Sequence, residues 1–289
     1  MSQVTHLGTR HPGGRTAGTP DAGPGRLAGA RASARRVGAL GRAELRLLWR
    51  NRTALLNAVL TPVAAFGFVG ASDGFAEGAG VGTVVVTAVT VVALGMAVYY
   101  NLVTAYVGRR EEHVLKRLRT GELTDAEILA GTAAPSLAVA WLQVVVALVA
   151  AAAIGELAMP VNGLLVVLAV LVGSLVFPLL AATSSAMTRT VELAQVTTAP
   201  VLFVPLVLSG LFAPIRELPA GLVPVAQVMP LTPVVDLMRL GLLGVDRDGE
   251  RLGTAATFAA AVPSLAVGAA WVALGLWATR RWFRWEPRR

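Results

Sequence analysis

The chain has 289 residues, a formal net charge of +8, 55% hydrophobic residues and only 15% charged residues. Soluble domains carry about a quarter charged residues, so this composition and a mean hydropathy of +0.66 exclude an ordinary soluble domain. The absence of cysteine excludes disulfides, thiolate metal sites and a thiol nucleophile.

The first 36 residues are predicted to form a disordered tail. They are rich in Gly and Pro and contain no apolar run, so they cannot bury a core and do not resemble a signal peptide. From residue 37 the pattern becomes helical, with Arg42, Arg46 and Arg50 in one stripe beside apolar positions. This pattern predicts an amphipathic helix lying along the cytoplasmic face of a membrane.

Six later stretches are free of charge and close to the roughly 20 residues that a helix needs to cross a bilayer. The sequence therefore predicts an all-α integral membrane protein with six transmembrane helices. The predicted spans lie at about 53–71, 81–107, 128–154, 163–187, 194–213 and 254–279.

The basic residues are distributed unevenly between the two sides of this six-span topology. Of the 25 Lys and Arg residues, 21 fall in 1–52, 109–119, 189 and 280–289. The positive-inside rule then places both termini, including a C-terminal tail at 281–289, in the cytoplasm. The excess of basic residues is therefore interpreted as a signal for orientation in the lipid bilayer, and no nucleic-acid partner is expected.

A dense block of charge at 109–127 separates two of the predicted spans. It predicts a cytoplasmic helix at 109–120 that ends near Gly121. Thr124 and Glu127 then have the spacing of a capping box, which starts a new helix at about Asp125. Such a helix–turn–helix predicts a surface presented to a cytoplasmic partner. Its charged members include Glu111, Glu112, Lys116, Arg117 and Arg119, and its apolar face is Val114, Leu115 and Leu118.

The segment 213–252 is the only long one on the extracytoplasmic side. Within it, 218–235 contains four prolines, which remove too many helical hydrogen bonds for a lipid-exposed span. We therefore expect a broken or re-entrant hairpin. Asp236 and Arg239 are spaced to form an ion pair on one helical face. The residues assigned to the hairpin are Pro214, Pro219, Pro230, Pro233, Asp236 and Arg239.

The search for catalytic chemistry gives no nucleophile–base pair and no cofactor site. The single lysine, Lys116, follows Leu115 rather than Gly, so the phosphate-binding motif G-x-x-x-x-G-K cannot be formed. A non-catalytic chain without cofactors is expected. Uncharged polar residues within the spans are candidates for a substrate path or for hydrogen bonds between helices. The candidates are Tyr99, Asn101, Gln143 and Thr198.

Three stretches carry a resemblance to a known family. They are "LGRAELRLLWRNRTALLNAVLTPV" at 40–63, "REEHVLKRLRTGELTDAEILAG" at 110–131 and "LSGLFAPIRELPAGLVPVAQVMPLTPVVDLMRLGLLG" at 208–244. Together with the six spans, they resemble the ABC-2 type transporter permeases, particularly the bacterial drug-efflux branch. The resemblance covers about residues 37–280, and the third stretch is its most specific part.

This resemblance implies a permease of the bacterial cell membrane that works with a separate ABC ATPase subunit and a second permease copy. Helix 109–120 would be the coupling helix that docks on the ATPase, and 213–243 would cap the exit side. Two alternatives remain open. One is export of polysaccharide or lipid-linked glycan within the same superfamily, and the other is a membrane sensor or scaffold that recruits a partner without transport.

Overall fold

The computed structural model describes residues 80–114, 124–157, 159–283 and 285. The predicted N-terminal tail, the interfacial helix and the first span at 53–71 lie outside the described residues.

Five helices in the described part of the chain are long and apolar enough to cross a membrane. They overlap the second to sixth predicted spans. Two shorter helices, α5 (Val223–Gln227) and α6 (Thr232–Leu243), precede the last long helix. Among the described residues we find no β-strand, only an isolated bridge between Val245 and Arg251. The long helices are α1 (Val81–Glu111), α2 (Asp125–Ala153), α3 (Gly163–Met187), α4 (Val191–Leu208) and α7 (Thr254–Trp282).

Helix α1 is the most buried of the long helices and is not regular along its length. Residues Ala93–Tyr100 form a π-helical segment between two α-helical parts. Close contacts flank this segment. A Cβ atom at Gly173 of α3 would overlap Leu94, and one at Gly95 would lie 2.8 Å from Cδ1 of Leu202 on α4. The absence of side chains at these glycines lets α1 lie close to both helices.

The core forms where α1 meets α2, α3 and α4, and where α3 meets α6 and α7. The helices alternate in direction, which gives the bundle two ends. The ends of α1, α3 and α7 and the starts of α2 and α4 share what we call the Arg110 end. The opposite end carries α5 and α6, and we call it the Asp236 end.

Helix α6 lies against the beginning of α3 with almost no space between the two backbones. Asn162 donates from its backbone N–H to the carbonyl oxygen of Gly241 across 2.9 Å. A Cβ atom at Gly241 would lie 2.7 Å from Cγ2 of Val166 and 2.9 Å from its backbone nitrogen. With 12 residues, α6 is about 18 Å long, whereas a bilayer core is about 30 Å thick. Helix α6 is therefore too short to span a membrane.

Candidate functional site

The Arg110 end places the charged block directly after α1. The sequence predicted one helix at 109–120, and the structure corrects this boundary because α1 continues to Glu111. A turn follows, in which His113 has a left-handed φ of 59°, and Val114 is helical again. Left-handed residues commonly end helices, so Arg109 and Arg110 belong to the end of α1 rather than to a separate helix.

The predicted docking residues are only partly within the described range. Glu111 and Glu112 are exposed and Val114 is half-buried. The remaining members, which are Leu115, Lys116, Leu118 and Arg119, lie outside the described residues. Two exposed carboxylates therefore lie side by side in the sequence at this end of the bundle.

The predicted capping box is confirmed. The backbone N–H of Glu127 donates to Oγ1 of Thr124 across 3.3 Å, and the N–H of Thr124 donates to Oε2 of Glu127 across 2.8 Å. These bonds satisfy two amides at the start of α2, and Glu127 is buried. Local spacing alone therefore identified where the chain re-enters the bundle.

Arg110 is the residue at this end that sequence reasoning missed. Only 1% of its surface is exposed, although it lies within a block of charge. Its guanidinium donates from Nη1 to the carbonyl oxygen of Ser185 across 2.9 Å and from Nη2 to that of Thr188 across 2.5 Å. The available signal was its spacing, because Arg110 follows Tyr106 by four positions on the buried face of α1.

Neighbouring contacts join the other helices at the same end. Arg109 donates from Nη1 to Oγ1 of Thr132 on α2 across 2.9 Å. Tyr106 donates its hydroxyl to the carbonyl oxygen of Leu129 across 3.1 Å. The ring of Tyr106 also meets that of Phe283 edge to face, with centroids 5.8 Å apart. The end of α1 is thus bonded to α2 and contacts the residue that follows α7.

At the opposite end, the Pro-rich segment is broken into short pieces, as the sequence predicted. Pro214 precedes a single 3-10 turn (Ile215–Glu217), Pro219 accepts a backbone hydrogen bond from Leu222, and Pro230 lies between α5 and α6. Pro233 lies in the first turn of α6, where its missing N–H is not needed. Each of these prolines therefore lies outside a helix interior.

Asp236 pairs with Arg247 and not with Arg239, which corrects the pairing inferred from spacing. Arg247 donates from Nε to Oδ2 of Asp236 across 2.7 Å, and Ser264 of α7 donates to the same oxygen across 3.1 Å. Arg239 contributes only a weaker electrostatic attraction. The Asp236 carboxylate therefore joins α6, the loop after it and α7.

Burial raises the pKa of the Asp236 carboxyl above its usual range. The attraction of Arg247 and the hydrogen bonds from Arg247 and Ser264 lower the pKa, but they do not offset the loss of hydration. Asp236 is 8% exposed at its side chain and Arg247 is 28% exposed. The carboxylate is therefore buried, and its arginine partner is half-buried.

Further contacts fix the loop between α6 and α7. Arg216 donates from Nη1 to the carbonyl oxygen of Asp248 across 2.6 Å. The carboxylate of Asp246 accepts the backbone N–H groups of Asp248 and Glu250. Trp271 of α7 donates its indole N–H to the carbonyl oxygen of Val228 across 2.7 Å. The Arg216 bond joins the 3-10 turn to this loop, and the Trp271 bond joins α7 to the residue after α5.

The four predicted path residues lie on three helices, α1, α2 and α4. The Tyr99 hydroxyl donates to Oγ of Ser184 across 3.0 Å, and Thr198 donates to the carbonyl oxygen of Ala194 across 2.6 Å. Asn101 is exposed and donates to the Ala97 carbonyl, while Gln143 is buried with its Oε1 unpartnered. Three of the four therefore use their side chains in hydrogen bonds within the fold.

The described residues contain no group of three or more His, Asp or Glu side chains that could hold a metal ion.

A family model described as ABC-2 type transporter matches residues 35–243, which is more than half of the chain. The match includes the charged block, the capping box and the Pro-rich series up to the end of α6. No curated protein gave a match to the sequence.

Proposed function

Because the chain belongs to the ABC-2 type transporter family and is a membrane permease subunit of an ABC transporter, we propose that it exports hydrophobic or amphipathic small molecules. Pairing with an ATPase subunit follows from the family. In the proposed assembly, two copies of this chain and two ATPase subunits form an exporter of drug-like compounds in a bacterial cell membrane.

The observation that carries this proposal is the match at 35–243 in a chain with several membrane-length helices. A permease needs an energy source, and Lys116 cannot complete a phosphate-binding loop. ATP hydrolysis by a partner chain would supply the energy that this chain cannot obtain through such a loop. The series from Leu208 to Gly244 favours the drug-efflux branch over the glycan exporters by resemblance.

The Arg110 end is assigned to the cytoplasm. Arg109, Arg110, Arg189, Arg280 and Arg281 all lie at this end of the bundle, and basic residues concentrate on the cytoplasmic side of membrane proteins. The docking surface for the ATPase then begins at Glu111 and Glu112. It continues along Val114, Leu115, Lys116, Leu118 and Arg119.

The Asp236 end is assigned to the extracytoplasmic side, where α5 and α6 form the proposed re-entrant hairpin. The shortness of α6, its burial between α3 and α7 and the prolines before it support a hairpin that dips into the bilayer and returns. Irregular backbone at membrane depth is tolerated where protein covers it. Such a hairpin is suited to closing the exit side of a path.

The proposed substrate path follows the outward faces of α1 and α4. Met96 and Asn101 of α1 and Val196 and Phe203 of α4 are exposed. These side chains offer a wide apolar surface with few hydrogen-bonding groups, which favours a hydrophobic or amphipathic ligand over a sugar chain. A second copy of the chain would supply the opposite wall.

A reconstituted transport assay tests this function. The chain is purified with the ATPase that copurifies with it and placed in proteoliposomes with external ATP. We expect ATP-dependent uptake of a fluorescent amphipathic cation such as ethidium, and no uptake with a non-hydrolysable ATP analogue. Transport of a lipid-linked glycan in place of the dye would overturn the substrate class. Absence of any ATP-binding partner would favour a sensor or scaffold.

A further inference from the structure

The buried Arg110 caps a helix other than its own. Ser185 and Thr188, whose carbonyl oxygens accept from its guanidinium, lie at the end of α3. The last carbonyls of a helix have no partner within the helix and carry the negative end of its dipole. A planar guanidinium that bonds two of them fixes both the distance and the direction between α1 and α3.

The capped end of α3 continues almost at once into α4. Only Thr188, Arg189 and Thr190 separate the two helices. The hydroxyl of Thr188 also lies 2.8 Å from that of Thr197 on α4. A displacement of Thr188 is therefore carried into both α3 and α4, which we call the α3–α4 hairpin.

On the other side, Arg110 directly precedes the surface that the ATPase is proposed to bind. Glu111 ends α1 and Glu112 begins the turn toward Val114. Helix α1 also passes close to the start of α4, because a Cβ atom at Gly108 would lie 3.5 Å from Cγ2 of Val191. Glu111, the first residue of the docking surface, is therefore the direct neighbour of Arg110, which contacts the α3–α4 hairpin.

We propose that Arg110 is a positioning residue that transmits movement of the ATPase-docking surface to the α3–α4 hairpin. This assignment rests on the proposed function and adds one mechanical step to it. Arg109 bonds a different helix, because its Nη1 donates to Oγ1 of Thr132 on α2. Comparing the two arginines therefore distinguishes two effects. Replacement of Arg110 tests transmission to α3 and α4, and replacement of Arg109 tests a general effect of the arginines at this end.

The test compares Arg110→Lys with Arg109→Lys in the full complex with the ATPase. Lysine keeps the charge but cannot bond both carbonyls with one planar group. For Arg110→Lys we expect ATPase copurification within about twofold of the original chain and at least a tenfold loss of ethidium transported per ATP hydrolysed. For Arg109→Lys we expect a change of less than threefold. Equal transport per ATP in Arg110→Lys and the original chain would overturn the proposal.

A second measurement follows the hairpin itself and does not depend on transport. The chain has no cysteine, so Arg189→Cys places a single exposed thiol between α3 and α4. We expect vanadate trapping of the ATPase to change the rate at which maleimide labels the thiol at position 189. This change should disappear when Arg110→Lys is added.

Failure of the transmission role and failure of the proposed function give different results. Loss of folded protein in both Arg110→Lys and Arg110→Gln would assign Arg110 to assembly of the fold and overturn the transmission role. If the unmodified chain binds no ATPase, the proposed function itself fails, which the copurification control shows before any variant is made.

Discussion

Nε of Arg247 lies 2.7 Å from Oδ2 of Asp236 and joins α6 to the loop that follows it. Ser264 donates to the same oxygen and joins α6 to α7. Arg239 is nearer to Asp236 in the sequence but makes no direct ion pair with it among the contacts of the described residues. This relationship leads to a test of which arginine supports the hairpin.

We expect Asp236→Ala to lower the free energy of unfolding by about 1–3 kcal/mol, because Arg247 loses its charged acceptor. A double-mutant cycle with Arg247→Ala should give a coupling free energy of about 1 kcal/mol or more. The matched cycle with Arg239→Ala should give less than about 0.5 kcal/mol. Unfolding in mixed detergent micelles measures the two coupling free energies. A larger coupling with Arg239 than with Arg247 would contradict the pairing of Asp236 with Arg247.

The buried carboxylate also predicts a pH dependence. Burial raises the pKa of Asp236, so the folded state binds this proton more readily than the unfolded state. The resulting stability is present below the ordinary pKa of aspartate, about 3.9, and is lost as pH rises through the raised folded value. We expect the melting temperature to fall over this window relative to Asp236→Asn, which has no carboxyl to titrate.

Other titratable groups near the pair, Arg239, Asp246 and Arg247, are the same in both proteins, so the difference between the two curves isolates Asp236. A difference in melting temperature that stays constant with pH would show that this carboxyl does not titrate differently on folding.

Gly241 provides a test of the close contact between α6 and α3. A methyl group there would meet the side chain and the backbone nitrogen of Val166, and a backbone cannot yield as a flexible side chain can. We expect Gly241→Ala to destabilise the protein by about 1–3 kcal/mol. The control is Gly221→Ala, since nothing lies within 4 Å of a Cβ atom at that position. Equal stability of the two variants would contradict the contact.

The sequence predicted those features that depend on local spacing. Thr124 and Glu127 are three residues apart, and their capping box was identified together with the start of α2 at Asp125. The beginning of α1 at Val81 also agrees with the predicted span. Hydrophobic runs, caps and prolines act within a few residues, so they can be identified without tertiary contacts.

The contacts that join distant segments could not be predicted in this way. Arg110 and Ser185 are 75 residues apart, and only the packing of α1 against α3 brings them together. The local spacing of Asp236 and Arg239 gave the wrong pair, because the loop after α6 returns Arg247 to the same carboxylate. In both cases a buried charge selected a partner by tertiary position rather than by helical periodicity.

Membrane orientation has its own test in this cysteine-free chain. Arg189 and Asp248 are both exposed and lie at opposite ends of the bundle. We expect a membrane-impermeant maleimide to label Asp248→Cys in intact cells and to label Arg189→Cys only after the cells are opened, because the positive-inside rule places the Arg110 end inside. Labelling of both positions in intact cells would contradict this orientation.

The docking surface is tested by making the same charge reversal at each end of the protein and comparing the two variants. Glu111→Lys with Glu112→Lys reverses two exposed carboxylates at the Arg110 end, and Glu217→Lys with Glu250→Lys does so at the Asp236 end. Exposed charges contribute little to folding, about 0–1 kcal/mol, so both proteins should reach the membrane in normal amounts. Interface residues at a binding hot spot contribute about 2 kcal/mol or more.

The most direct measurement is the amount of ATPase retained on each affinity-tagged permease after purification from membranes. We expect the Glu111 and Glu112 double variant to retain at least tenfold less ATPase than the original chain, with a matching loss of ATP-dependent ethidium transport. The Glu217 and Glu250 double variant should retain the original amount. Full ATPase retention by the Glu111 and Glu112 variant would contradict a docking surface at the Arg110 end.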